Sequence, residues 1–170
     1  MILDSSAEPI SGRTAIQKIA YFESIKLEYD LKYKPHFYGP YSPVVDQTLM
    51  DLTVSDYVEE RARTTLLDRT LYSYSLTDDG LELVQQVKKR EPEKFALIKE
   101  IVEECSKYGN NINVLSCAAK VYFLLTQKGS TLSNDEAIEM GRTFNWELSE
   151  EEIESGVRLL SDLELASKSD

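Results

Sequence analysis

The stretch Phe-Tyr-Gly-Pro-Tyr-Ser-Pro at residues 37–43 constrains the fold of this 170-residue chain more than any other segment. Gly39 followed by Pro40 breaks regular secondary structure and predicts a turn. Ser42 followed by Pro43 is typical of a helix N-terminus, because a proline at the first helical position has no N–H that would be left unpaired. The stretch therefore predicts a sharp turn that ends by starting a new helix.

Helices are predicted on both sides of this turn. The first runs from Arg13 to Lys26 with Ser11 as its N-cap, and the second from Pro43 to about Thr53. The segment 28–37 between them is either a loop or a brief strand. The predicted inward-facing residues are Ile16, Ile19, Ala20 and Phe22 in the first helix, and Val44, Leu49 and Leu52 in the second.

A β-hairpin is predicted next, because residues 56–65 and 69–76 are rich in strand-forming side chains. Thr77 then caps a helix, with two aspartates favourably placed at its N-terminal dipole. The predicted core face of that helix is Leu81, Val84 and Val87. Helix, turn, helix, hairpin, helix is the element order of a winged-helix module.

The rest of the chain is predicted to be helical. Glu91-Pro92 ends the preceding helix, which divides the chain into a winged-helix-like module at 1–90 and a four-helix part at 91–170 packed on it. Two capping boxes, Ser133 with Glu136 and Ser149 with Glu152, start the last two helices. The predicted fold class is mainly α with one β-hairpin.

Composition and charge restrict the partners. The net charge is −11, and residues 91–170 carry 16 acidic and eight basic side chains, so that part would repel a phosphate backbone. No apolar run approaches the roughly 18 residues that a membrane span needs, and no leader segment is recognisable. These features predict a cytosolic protein without a membrane partner.

Patterns of catalytic chemistry are missing from the sequence. Cys105, Cys117 and the single histidine, His36, come from well-separated segments and are too few for a zinc site. Cys105 continues an apolar helical stripe, which predicts a buried thiol. A nucleophile elbow, a phosphate loop and a dinucleotide-binding glycine pattern are all absent. We therefore expect a protein that is not an enzyme and needs no cofactor.

The motifs Ser-Gly-Arg-Thr-Ala-Ile-Gln-Lys at residues 11–18 and Tyr-Gly-Pro-Tyr-Ser at 38–42 resemble those of the YwgA-like proteins and the related Panacea (SocA-like) antitoxin domain. The later Tyr-Ser-Leu-Thr-Asp-Asp-Gly at 74–80 is similar as well. This resemblance implies a winged-helix-like core, no established catalytic activity, and a role in regulation or toxin neutralisation. Ala15 departs from the family pattern, which usually has lysine there, and Ser55-Asp56-Tyr57 replaces a Gly-Leu-Ile sequence.

Our first functional hypothesis is a DNA-binding, transcription-regulator-like protein. The second helix would then enter the major groove and the hairpin would contact the backbone or minor groove, while the acidic C-terminal helices form a homodimer or receive a signal. Its candidate DNA contacts are Arg13, Lys18, Gln47, Thr48, Arg61, Arg63 and Arg69.

The alternative is a module that binds a protein, as an antitoxin or adaptor does, without binding DNA. The acidic chain and the acidic second helix favour it, and the partner would be basic or would lay a helix into an apolar groove between the two halves. His36, Tyr38 and Tyr41 either contact a base or partner, or pin the turn to the core. A third possibility, which is compatible with either hypothesis, is small-molecule sensing in a pocket lined by Tyr122, Phe144 and Trp146.

Overall fold

The computed structural model describes residues 1–65, 68, 70–109 and 111–166, and these residues form eight helices and one small sheet. The mainly helical fold class is therefore confirmed. In chain order the elements are α1 Ile2–Ser5, β1 Ile10–Ser11, α2 Arg13–Lys26, α3 Pro43–Val54, β2 Val58–Thr64, β3 Thr70–Leu76, α4 Asp78–Arg90, α5 Pro92–Lys107, α6 Ile112–Lys128, α7 Asn134–Arg142 and α8 Glu150–Asp162.

The sheet has three antiparallel strands in the order β1-β3-β2, so the predicted hairpin gains a third strand. Ile10 lies opposite Tyr74, and Val58 lies opposite Leu76. A two-residue strand is too short to show an alternating pattern, which is why the sequence did not predict β1. Because Ser11 belongs to this strand, Gly12 is the N-cap of α2, and the prediction of Ser11 as N-cap was wrong.

Helix α2 is the central helix of the fold. Every residue from 15 to 24 is buried, including the polar side chains of Gln17, Lys18, Glu23 and Ser24. The sequence predicted one apolar face, but α3, α5, α6 and β1 all pack around this helix. An amphipathic helix would expose these polar residues to water, but here the neighbouring elements enclose them.

The predicted caps of α3 and α4 are confirmed, but two predicted core residues are not. The side chain of Ser42 accepts a hydrogen bond from the Val45 N–H, and that of Thr77 accepts one from the Gly80 N–H. Val44 and Leu81 are each 44% exposed, so their assignment to the core was wrong. Both lie in the first turn of their helix.

The four C-terminal helices are present as predicted, and both capping boxes form. Helix α6 packs against both α8 and α2. One hydrophobic cluster contains buried residues from Ile10 to Leu163. The two parts of the chain therefore share a core, and the division at residue 90 stays a prediction. Within the described residues, every helix is too short or too polar to cross a bilayer.

Candidate functional site at the aromatic turn

Two neighbouring polar side chains of α2 hold the backbone of the turn. Gln17 Nε2 donates to the Ser42 carbonyl at 2.9 Å, and the Ser42 N–H donates to Gln17 Oε1 at 3.0 Å. Lys18 Nζ donates to the Pro40 carbonyl at 2.6 Å. Buried backbone groups need such partners, so these side chains fix where the turn lies. The sequence analysis missed Gln17, although a polar pair inside an apolar helix was the available signal.

Gly39 lets the turn approach α2 and α6 closely. Its φ is +97°, a conformation that favours glycine. A Cβ at this position would lie 3.1 Å from Lys120 Cγ and 3.5 Å from Lys18 Cε. Gly39 and Pro40 are buried, so the turn is anchored by its backbone.

A cavity of about 150 Å³ lies between this turn and the start of α2. It brings together half of the site residues predicted from sequence, although they come from two segments of the chain. The residues lining it are Arg13, Thr14, Gln17, Lys18, His36, Tyr38, Tyr41 and Asp46.

The aromatic side chains at the cavity mouth do not pin the turn to the core. Tyr38 is 57% exposed, and the His36 side chain is also exposed, with its ring 5.1 Å from the Tyr41 ring. It is the His36 carbonyl that makes a tertiary contact, accepting a hydrogen bond from Trp146 Nε1 at 2.7 Å. These rings are therefore accessible to a binding partner.

Arg13 is held by groups of the protein itself. Its Nε donates to the Tyr74 hydroxyl at 2.8 Å, its guanidinium lies 3.1 Å from Glu60 Oε2, and Asp46 is 3.9 Å away. The hydrogen bonds to Tyr74 and then to Glu60 raise the pKa of Arg13. The positive charge of Arg13, which was predicted to contact DNA phosphate, is thus already paired with carboxylates of the protein. Arg13 instead connects α2, α3 and the sheet.

Lys18 is not on the outer surface, where a contact with the DNA backbone would require it. Lys18 is only 2% exposed. Burial and, to a smaller extent, the charge of Lys120 lower the pKa of Lys18 to about 7. The sequence could not show this, because a lysine in a helix normally extends its ammonium into water.

Four further predicted DNA contacts, on α3 and β2, lie outside the cavity. Gln47 and Thr48 are exposed on α3, but Gln47 Nε2 donates to Asp51 Oδ1 at 2.7 Å. Arg61 is exposed on β2 and pairs with Glu59 at 2.9 Å, and Arg63 is exposed two residues further on. Arg69 falls outside the described residues.

A second, larger cavity of about 340 Å³ is almost entirely apolar. The sequence-based hypothesis placed an apolar groove between the two halves of the chain, but this cavity is formed wholly by residues 1–87. Its walls come from α1, α2, α3, the sheet and α4. The residues lining it include Met1, Ile2, Leu3, Val44, Val45, Thr48, Leu49, Leu52, Tyr57, Leu76, Leu83 and Val87.

The cysteines and the C-terminal aromatic residues belong to the core. Cys105 is buried, as predicted, and so is Cys117, and burial raises the pKa of each thiol to about 12. Trp146 packs against Phe144 at a ring distance of 5.1 Å, whereas Tyr122 faces Tyr21. The three residues considered for ligand sensing therefore do not share one pocket. Among the described residues, no cluster of potential metal ligands forms.

Neither known protein-family models nor curated proteins give a match to this chain. The resemblance to YwgA-like and Panacea proteins accordingly stays a prediction based on the motifs at residues 11–18, 38–42 and 74–80.

Proposed function

We propose that this protein is a non-enzymatic interaction module that binds a protein partner through α3 and the apolar cavity beside it. The observation that carries the proposal is the outer face of α3, which combines exposed apolar side chains with acidic ones. Val44 is 44% exposed, Met50 46% and Val54 82%. An exposed apolar patch with polar residues around it is typical of an interaction site.

The charge of α3 favours a protein over DNA. Residues 35–60 contain no lysine or arginine, while Asp46 and Asp51 lie on α3 itself. A helix that enters the major groove normally gains most of its affinity from positive charge near phosphates. A protein partner with basic residues around an apolar centre complements this surface better.

The large apolar cavity offers a place for the partner's main anchor. Val44 and Thr48 belong both to the exposed side of α3 and to the cavity wall. Binding energy at interfaces is concentrated in a few large side chains that fill such pockets. We therefore expect the partner to insert an apolar or aromatic side chain beside Val44.

The element order supports a winged-helix-like reading of residues 1–90. Helices α2 and α3 precede the β2–β3 hairpin, and β1 completes the sheet on the β3 side. Together with the motif resemblance, this arrangement favours an antitoxin-like or adaptor role. In that role α3, which corresponds in element order to the DNA-recognition helix of a winged-helix module, would contact a protein instead.

Site-specific photocrosslinking tests this function. A photoreactive residue replaces Val54, the most exposed apolar residue of α3, and crosslinked partners from the native host are identified by mass spectrometry. The matched control places it at Gln127, which is exposed on α6. We expect one protein to crosslink from position 54 and not from 127.

The purified partner then gives the quantitative test. Because Met50 and Val54 lie on the contacting face, Met50→Lys and Val54→Lys should each weaken binding by about tenfold or more, as hot-spot substitutions do. Arg61→Glu should leave the affinity unchanged. Unaltered binding by both α3 variants would contradict the proposal.

DNA binding through the hairpin is the second candidate function, favoured by the exposed Arg61 and Arg63 on β2. No carboxylate of the described residues lies within ion-pair distance of Arg63, although Arg61 is paired with Glu59. Fluorescence anisotropy with mixed-sequence duplex DNA across a salt series tests it. Binding that falls steeply with salt and is lost in Arg61→Glu/Arg63→Glu would establish phosphate contacts. No binding at low salt would exclude this second function.

A further inference from the structure

The Lys18 ammonium is buried without a counter-ion. Lys18 is 2% exposed, and its Nζ donates to the Pro40 carbonyl at 2.6 Å. Among the described residues, no carboxylate lies within ion-pair distance of this nitrogen. Lys120, close enough to affect Lys18 electrostatically, carries the same charge. An ammonium removed from water in this way is strongly destabilised unless a negative group pairs with it.

Lys18 lines the cavity of about 150 Å³ at the aromatic turn. The space is about ten times the roughly 10–15 Å³ that a single water molecule needs in a cavity, which is enough for a carboxylate or phosphate group. Tyr38, Tyr41 and His36 line the same cavity and offer further polar groups. Asp46 provides the one carboxylate that lines the cavity among the described residues, and it is engaged by Arg13 at 3.9 Å and by the Tyr41 hydroxyl.

We propose that this cavity is a binding site for a small oxyanion, a carboxylate or a phosphate group, with Lys18 as its charged ligand and the exposed Tyr38 at its entrance. The anion pairs with an ammonium that has a single acceptor among the described residues and two remaining N–H groups. Charge-assisted hydrogen bonds of this type are the strong ones in proteins. The lowered pKa of Lys18 agrees with an unpaired site, because a bound anion favours the charged form and raises that pKa again.

Nuclear magnetic resonance of the lysine side chains tests the proposal on the intact chain. The Cε signal of Lys18, assigned by its absence in Lys18→Met, is followed through a pH titration in sodium chloride, sodium acetate and sodium phosphate at equal ionic strength. We expect its midpoint to lie higher in acetate or phosphate than in chloride, and the better anion identifies the chemistry. Equal midpoints in all three salts would overturn the proposal.

Thermal unfolding in the same three salts provides the second readout. The stabilising anion should raise the melting temperature of the wild type and of Lys34→Met, an exposed lysine of the neighbouring loop, and not that of Lys18→Met. An equal rise in Lys18→Met would indicate a general salt effect and overturn the site. If Lys18→Met does not fold, Lys120→Met is used in its place. This variant retains Lys18, so the titration midpoint of Lys18 must still lie higher in the stabilising anion than in chloride.

This site is independent of the proposed protein-binding surface. Met50 and Val54 do not line the small cavity, and Lys18 does not line the large one. Loss of partner binding in the α3 variants with unchanged anion binding, or the reverse, therefore separates the two proposals.

Discussion

Glu23 in the middle of α2 is a buried acid without full hydrogen bonding. It is 9% exposed, and its Oε1 has no hydrogen-bond partner. Burial raises the pKa of Glu23 to about 8 from an ordinary 4.5. At neutral pH the folded protein thus keeps this side chain mostly protonated, whereas the unfolded chain releases the proton.

The pH dependence of stability follows from Glu23. Through Glu23 the folded state binds one proton more than the unfolded state between about pH 4.5 and 8, so this contribution to the free energy of unfolding should fall as pH rises through that window. Lys18, with its pKa lowered to about 7, acts in the opposite direction above that pH. The full effect of Glu23 is on the order of 5 kcal/mol. Glu23→Gln should flatten this fall and be the more stable protein at pH 8, as measured by urea unfolding at a series of pH values.

The exposed residue Glu100 on α5 supplies the control. Glu100→Gln should keep the wild-type pH profile, because its carboxylate stays in water in both states. If the free energy of unfolding of Glu23→Gln depended on pH as in the wild type, another titrating group would control stability in this pH range, which would contradict the prediction.

At the scale of elements, Arg13 links α2 with β2 and β3. Its partners Glu60 and Tyr74 lie on adjacent strands, and the Tyr74 hydroxyl also donates to Glu60. The Arg13 side chain is 51% exposed, so solvent screens the pair and the expected coupling is modest.

A double-mutant cycle with Arg13→Met and Glu60→Gln should give a coupling energy of about 1 kcal/mol from chemical denaturation. The cycle Arg61→Met with Glu59→Gln is the matched control, since that pair is more exposed and lies within one strand. A coupling for Arg13–Glu60 no larger than for the control pair would contradict the linking role.

Helices α6 and α8 touch through their backbones at Gly156. A Cβ at this position would lie 2.8 Å from the Ala118 nitrogen and 3.1 Å from its Cα. Neither backbone atom can move without displacing a helix, so this glycine sets the distance between the two helices.

Gly156→Ala should therefore destabilise the protein by about 1–3 kcal/mol, the usual cost of overpacking a core. Helix propensity alone predicts the opposite sign, because alanine exceeds glycine by about 1 kcal/mol. Thermal and urea unfolding measure the change, with Glu154→Ala on the exposed side of α8 as the control. Stabilisation by Gly156→Ala would show that the helices separate readily.

For the whole molecule, the shared core predicts cooperative unfolding. Trp146, the only tryptophan, lies in the C-terminal part and donates to the His36 carbonyl in the N-terminal part. Helix α2 packs against α5 and α6. Neither part can lose its structure without exposing apolar surface of the other.

Trp146 fluorescence and far-ultraviolet circular dichroism should consequently report the same urea midpoint. The first signal follows the contact between the two parts, and the second follows helices throughout the chain. Two separated transitions would instead support independent folding of residues 1–90 and 91–170.

Local chemistry was sufficient to predict most of the helices, the hairpin, the caps at Ser42 and Thr77 and both capping boxes. These features depend on side chains that act within a few residues of their own backbone, so they are visible in the sequence. The predicted core positions at Val44 and Leu81 failed, because exposure depends on which other elements cover a helix.

Tertiary structure alone decided the character of the candidate site. Arg13, Lys18, Tyr38 and Tyr41 belong to separate segments, and only the folded turn places them around one cavity. Packing on several sides of α2 buried Lys18, which the sequence predicted to contact DNA, and also Glu23, and it shifted the pKa of both side chains. The sequence by itself determined which side chains can carry charge, but burial by elements distant in sequence determined how their pKa values shift, because the charged form loses its hydration.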